Sequence, residues 1–144
     1  MNIFKLLLVF FSPALFSSTV VIALSSNPNN LDPFFSTDGN SQNINRILHT
    51  SLIDFNKEMK FECVLCNNFS ENFEKGRHEI TFLLREDVKF WDGSEVTAND
   101  VENSVKYFQD EKINSIFRNP FLEIEKTEIL GKYKILTVLR PKMT

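Results

Sequence analysis

From residue 78 onward the apolar positions of this chain alternate. In the run 78–84, Ile80, Phe82 and Leu84 alternate with Glu79, Thr81 and Leu83, after a turn at Lys75, Gly76 and Arg77 and a short segment at 72–74. A period of two marks a half-buried strand, so 72–84 predicts a hairpin. Two further alternating runs, 123–130 and 133–139, joined at Gly131 and Lys132, predict a second hairpin. Pro141 ends it, having no N–H to give to a strand ladder. Between the hairpins the spacing becomes helical: Val101, Val105 and Phe108 form one stripe of a helix running to about Gln109. Thr97 caps it, and Asp100 stands three residues later in the place of a capping-box acid. Earlier, Ile44, Ile47, Leu48 and Leu52 recur on one helical face, with Asp38 or Ser41 placed to cap the first turn.

Continuous apolar runs appear only near the start. Residues 1–5 are weakly basic, and 6–16 are almost wholly apolar, broken by Ser12 and Pro13. The run is too short to span a bilayer and ends in the small residues Ser17, Ser18 and Thr19, the pattern of a secretory signal with its cleavage site. Residues 1–18 are therefore expected to be a signal peptide. A lipid-anchored form needs a Cys directly after that run, and the first Cys is Cys63. The mature chain is expected to be exported and soluble, in the periplasm of a double-membraned bacterium. The β-branched run 19–24 predicts a buried strand, and the turn formers of 25–33 (SSNPNNLDP) predict the loop that ends it. Residues 52–55 read as the start of a short strand and 56–60 as a polar turn. Asp92 and Gly93 make another turn, because Gly accepts positive φ and Asp bonds its own backbone. The segment 113–120 reads as irregular. Strands and helices intermix without repeats, which predicts an α+β class.

At 144 residues the chain suffices for one domain with its own core. With 42% hydrophobic and 24% charged residues it is ordinary globular material, and a net charge of -3 offers no basic surface for nucleic acid. Fifteen Phe against one Trp and two Tyr point to no function.

Candidate chemistry is sparse. Cys63 and Cys66 form a C-x-x-C that fits a redox pair, half of a zinc site with His49 or His78, or two small apolar residues. With no second C-x-x-C and no H-x-x-x-H, the last reading leads and no metal is expected, although an oxidised pair suits an exported protein. Asp87, Asp92 and Asp100 lack the alternate spacing and closing Glu of a calcium loop, and two of them already have turn and capping duties. No phosphate loop, G-x-S-x-G or H-E-x-x-H occurs, so neither an enzyme nor a cofactor is expected.

The segment 80–101, ITFLLREDVKFWDGSEVTANDV, resembles the fingerprint of the bacterial extracellular solute-binding proteins of family 5, which serve peptide and nickel ABC importers. In that fingerprint a strand ends in Leu-Arg, a Val-x-Phe segment follows, then an Asp-Gly turn, and Thr-Ala-x-Asp-Val opens a helix. Leu84, Arg85, Val88, Phe90, Asp92, Gly93, Thr97, Ala98, Asp100 and Val101 match it one by one. The stretch 30–33 resembles the family's Leu-Asp-Pro after its first strand, and the surroundings of Leu65 resemble the Leu-Ala before its hairpin. These ten residues are scaffold types and name no ligand.

The resemblance implies the N-terminal part of a two-lobed periplasmic-binding-protein fold of type II, mostly its accessory domain. On that reading 19–40 supply the first strand and loop of lobe I and 41–144 the accessory α+β domain. It further implies a non-enzymatic protein that closes on a peptide or related solute and delivers it to ABC permease subunits. Family members are several times longer, so the ligand cleft is expected to be incomplete here. A small exported interaction or regulatory module that has lost solute binding is the alternative. Ser36, Thr37, Asp38 and Gly39, in the loop after Leu-Asp-Pro, are the candidate ligand contacts. The exported form is expected to begin near Ser18 or Thr19; mass spectrometry of secreted protein that found the N-terminus beyond residue 24 would contradict the assigned signal.

Overall fold

The computed structural model describes residues 21–74 and 76–141. Its elements are α1 (Gly39–Leu48), β1 (Ile53–Phe55), β2 (Phe61–Cys63), β3 (Cys66–Glu74), β4 (Arg77–Leu84), α2 (Ala98–Gln109), α3 (Arg118–Leu122), β5 (Ile124–Gly131) and β6 (Lys134–Leu139). The α+β class expected from the sequence is what the chain adopts.

Four strands form one antiparallel sheet in the order β3-β4-β6-β5. Both expected hairpins are present, with Phe73 opposite His78 and Ile129 opposite Ile135, and the two are zipped together by β4 against β6, where Phe82 faces Ile135. One face of this sheet carries Phe82, Leu84 and Ile135, and the first turns of α2 cover it with Ala98 and Val101. Leu65, Cys66 and Val96 close that core, and Leu52, Ile53 and Val88 pack against its margin. The separate ribbon β1-β2 is antiparallel, with Phe55 stacked on Phe61 at a centroid distance of 4.5 Å.

Four expectations need correction. Residues 21–24 form no strand, and Val21 and Ile22 are exposed; an isolated extended segment has no neighbouring ladder to satisfy its backbone groups. The expected strand 19–24 and the signal 1–18 otherwise lie outside the described residues. The strand preceding the first hairpin turn begins at Cys66 rather than near Asn72. It is an edge strand exposed over most of its length, so nothing required its residues to alternate. The segment 113–120 is not wholly irregular: α3 starts at Arg118 and holds Pro120 in its first turn, where no N–H is needed.

The fourth correction concerns α1. Its periodicity predicted a buried apolar stripe, yet its buried residues are Ser41 and Asn45, while Ile47 is 57% and Leu48 43% exposed. Leu52 lies beyond the helix and packs on the core margin instead.

Gly93 sits at φ +87, inside a tight excursion in which Phe90 N–H donates to Ser94 O at 2.8 Å and Gly93 N–H to Phe90 O at 2.9 Å. The Asp92 carboxylate accepts from both the N–H and the hydroxyl of Ser94, at 2.8 and 2.6 Å. Space for a Cβ exists at Gly93, so the obstacle to substitution is backbone conformation alone. Gly93→Val is expected to destabilise the domain by about 1 to 3 kcal/mol, as a β-branched residue is strongly disfavoured at positive φ. Asp92→Ala is expected to cost less, and equal denaturant midpoints for wild type and Gly93→Val would refute the turn's role.

Candidate functional site

The loop from residue 25 to Gly39 is rich in short polar side chains, several of which bond to nearby backbone. Asn30 Oδ1 accepts from the Asp32 N–H and Asp32 Oδ1 from the Phe34 N–H, both at 2.8 Å, giving two successive turns across Leu31-Asp32-Pro33. Ser41 Oγ accepts from the N–H groups of Asn29 and Asn30 at 2.9 and 3.0 Å. Ser36, 2% exposed, donates its hydroxyl to the carbonyls of Asn30 and Asp32 at 2.8 and 2.6 Å and accepts from Asn45 Nδ2 at 2.7 Å. This polar network, rather than an apolar contact, buries the inner face of α1. Among the described residues Asn45 Oδ1 is the buried side-chain atom it leaves without a partner.

The loop is tied to the body of the domain through Phe34. Its ring lies 4.5 Å from that of Phe108, which stacks in turn on Phe121 at 4.1 Å. Its carbonyl accepts from the hydroxyl of buried Ser115 at 2.7 Å and from the Ile116 N–H at 3.3 Å.

Of the four candidate contacts, two are committed to this framework. Ser36 is locked inside the loop, and Asp38 is the N-cap of α1, accepting the Ser41 N–H at 2.9 Å. Hydrogen bonding from Ser41, side chain before backbone, holds the Asp38 carboxyl below the usual aspartate range. Thr37 and Gly39 are exposed, so a hydroxyl and a stretch of backbone are what the loop offers to a ligand.

The fingerprint residues surround the sheet instead. Leu84, Ala98 and Val101 are buried and Val88 is partly buried against them. Arg85 grips Asp87 through two N–H···O contacts of 3.0 and 2.8 Å and reaches the Val64 carbonyl at 3.4 Å. That pairing, by its hydrogen bond first, lowers the Asp87 carboxyl. The Asp100 carboxylate accepts from both the N–H and the hydroxyl of Thr97, at 2.8 and 2.7 Å, and so caps α2. Asp92 and Gly93 form the turn, and Phe90 is exposed beside Trp91, which is 92% exposed at its tip. Among the described residues no group of three His, Cys, Asp or Glu side chains is placed to hold a metal.

Cys63 and Cys66 are joined by a disulfide, which corrects the reading of two unlinked small residues. The bond runs from the end of β2 to the start of β3, and a ring this short removes only about 2 kcal/mol of unfolded-chain entropy. The spacing alone was compatible with it but did not require it.

Residues 70–140 match the family described as bacterial extracellular solute-binding proteins, family 5 Middle. Over 128 residues, 89% of this chain and 25% of the relative, it is 29% identical to the glutathione-binding protein GsiB of Salmonella paratyphi A. Among solved structures it resembles MoaA in complex with mannopinic acid, from A. tumefaciens R10, with 27% identity and a TM-score of 0.69. That likeness covers 81% of this chain and 24% of MoaA. It also resembles NikZ from Campylobacter jejuni in complex with Ni(L-His), at 30% identity and a TM-score of 0.54 over 61% of this chain and 17% of NikZ. The chain thus spans about a quarter of the length of the curated relatives it matches.

Ser36→Ala is expected to destabilise the loop and α1 together, because it removes the hydroxyl partner of the Asn30 carbonyl and of the Asn45 amide, while the Asp32 carbonyl keeps the N–H groups of Phe35 and Ser36; a loss of about 1 to 3 kcal/mol follows from the cost of unpaired buried groups. Thr37→Ala, at an exposed site, is expected to change stability by less than about 0.5 kcal/mol. Equal thermal midpoints for Ser36→Ala and Thr37→Ala would show that the polar network does not hold the loop.

Proposed function

We propose that this chain, which belongs to the bacterial extracellular solute-binding proteins of family 5, forms one wall of the solute-binding body of an ABC importer and that the solute is a peptide. The observation that carries the reading is the fingerprint itself, a strand, an Asp-Gly turn and a capped helix, set in a fold shared with binding proteins over most of this chain's length. The relative GsiB is a glutathione-binding protein, and glutathione is itself a tripeptide. No catalytic step is assigned; the work is enclosure of a solute and its presentation to a permease, in the periplasm. No helix among the described residues is long and apolar enough to cross a membrane.

The outward apolar face of α1 supports the idea of a wall rather than a finished body. Ile47 and Leu48 on α1, and Leu31 and Phe35 on the preceding loop, are large apolar side chains left exposed, of the type that a further packing layer covers. Residues 19–40 are assigned to the first lobe and 41–144 to the accessory domain on this reading. The exposed Thr37 hydroxyl and the backbone at Gly39 are assigned to the peptide main chain, with Ser36 and Asp38 holding them in place.

Affinity in such proteins comes from enclosing the ligand between preformed walls, which removes its surface from water and satisfies its polar groups. One wall alone leaves the loss of translational and rotational freedom, at least several kcal/mol, offset by few contacts. The isolated chain is therefore expected to bind peptides with millimolar affinity or weaker, no more than about 4 kcal/mol. Calorimetric titration with glutathione and a pool of di- to pentapeptides measures this. Micromolar, saturable binding would overturn the incomplete-cleft reading in favour of a shortened but competent binder.

A further inference from the structure

The C-x-x-C motif has no part in solute enclosure, yet its chemistry is complete in the structure. We propose that Cys63 and Cys66 form a thiol–disulfide exchange site whose surrounding fold holds in both oxidation states. The two residues differ in burial: Cys66 is 3% exposed and belongs to the core cluster, whereas Cys63, at the end of β2, is only partly buried. An incoming thiolate therefore meets Cys63, and Cys66 is the leaving sulfur.

The reduced state has its hydrogen bond prepared. Cys66 Sγ lies 3.3 Å from the carbonyl oxygen of Leu52, so the thiol released there has an acceptor. The backbone between the cysteines is fastened without the sulfurs. Val64 N–H donates to Leu52 O at 3.0 Å, Leu65 N–H to Ser51 O at 3.1 Å, and Leu65 O accepts from the Arg85 N–H at 2.9 Å. Opening the short ring leaves all three bonds in place. Pairing with a metal is not supported, since no third His, Cys, Asp or Glu among the described residues joins the two sulfurs in a ligand group.

The exchange balances with a monothiol of the glutathione type. Its thiolate attacks Cys63 Sγ, the Cys63–Cys66 bond breaks, and Cys66 leaves as a thiolate that takes a proton from solvent. A second thiol then attacks the mixed disulfide at the sulfur of the first and releases Cys63. Two electrons enter the protein, and the two small thiols depart as their disulfide.

The test equilibrates the native chain in buffers of graded reduced-to-oxidised glutathione ratio, quenches with acid and counts alkylated cysteines by mass spectrometry, with circular dichroism recorded at each ratio. Expected is a two-thiol transition without denaturant and with an unchanged spectrum. In parallel, Cys66→Ser, which frees Cys63, is expected to form a mixed disulfide with oxidised glutathione at least tenfold faster than Cys63→Ser, which frees Cys66. Reduction that occurs only in denaturant, or only together with loss of the spectrum, would overturn the proposal. Equal rates for the two variants would overturn the assigned order of attack.

Discussion

Ala98 has no exposed surface, and its N–H donates to the Lys132 carbonyl at 2.8 Å while Leu84 N–H donates to Tyr133 O at 2.7 Å. The start of α2 is therefore pressed directly on the turn that links β5 to β6, with the small Ala98 side chain fully buried there. Much of the local chemistry serves this contact. The Asp92-Gly93 turn reverses the chain after Val88, Val96 returns to bond Val88 O at 3.2 Å, and the Thr97–Asp100 cap opens the helix at the residue that must touch the sheet. A helix begun one residue late would turn Val101 and Val105 off the sheet face by about 100 degrees. The Glu95–Lys132 ion pair closes the same corner from outside.

Against this apolar body stands a polar attachment. The 25–36 loop and α1 are held to one another by hydroxyls, amides and carbonyls, and to the body chiefly through the Phe34 ring and carbonyl. Such a network fixes geometry well, since each bond is directional, but buries little apolar surface. It suits a segment whose position matters more than its independent stability. On the proposed reading, that segment is the one bearing the exposed Thr37 and Gly39.

The two cysteines add a covalent element at the root of the β1-β2 ribbon, the least integrated of the strands. The bond joins that ribbon to the edge of the main sheet, and the Arg85–Asp87 clamp reaches the same stretch from β4. Hydrogen bonds and sulfur chemistry thus converge on one short connection, so the link can change oxidation state without carrying the fold.

Sequence alone determined whatever depends on neighbours a few residues apart. Strand alternation in 78–84 and 133–139, the Asp92-Gly93 turn and the Thr97–Asp100 cap were all legible, because turn and cap energetics are settled within four or five residues. Even the fingerprint is such local chemistry, repeated at fixed spacing. Tertiary structure decided the rest. It placed the apolar stripe of α1 outward, since burial is set by whatever packs against a helix, and here that is the polar 29–36 loop. It left 21–24 without a strand, extended β3 along an edge that needs no alternation, and brought two cysteine sulfurs within bonding distance. At the candidate loop the sequence put forward four residues but not which of them turn into the loop and which face out. Which hydroxyl faces inward and which outward depends on Asn45, nine residues away, and on Ser115, 81 residues from Phe34 along the chain, and no local pattern encodes a partner that distant in sequence.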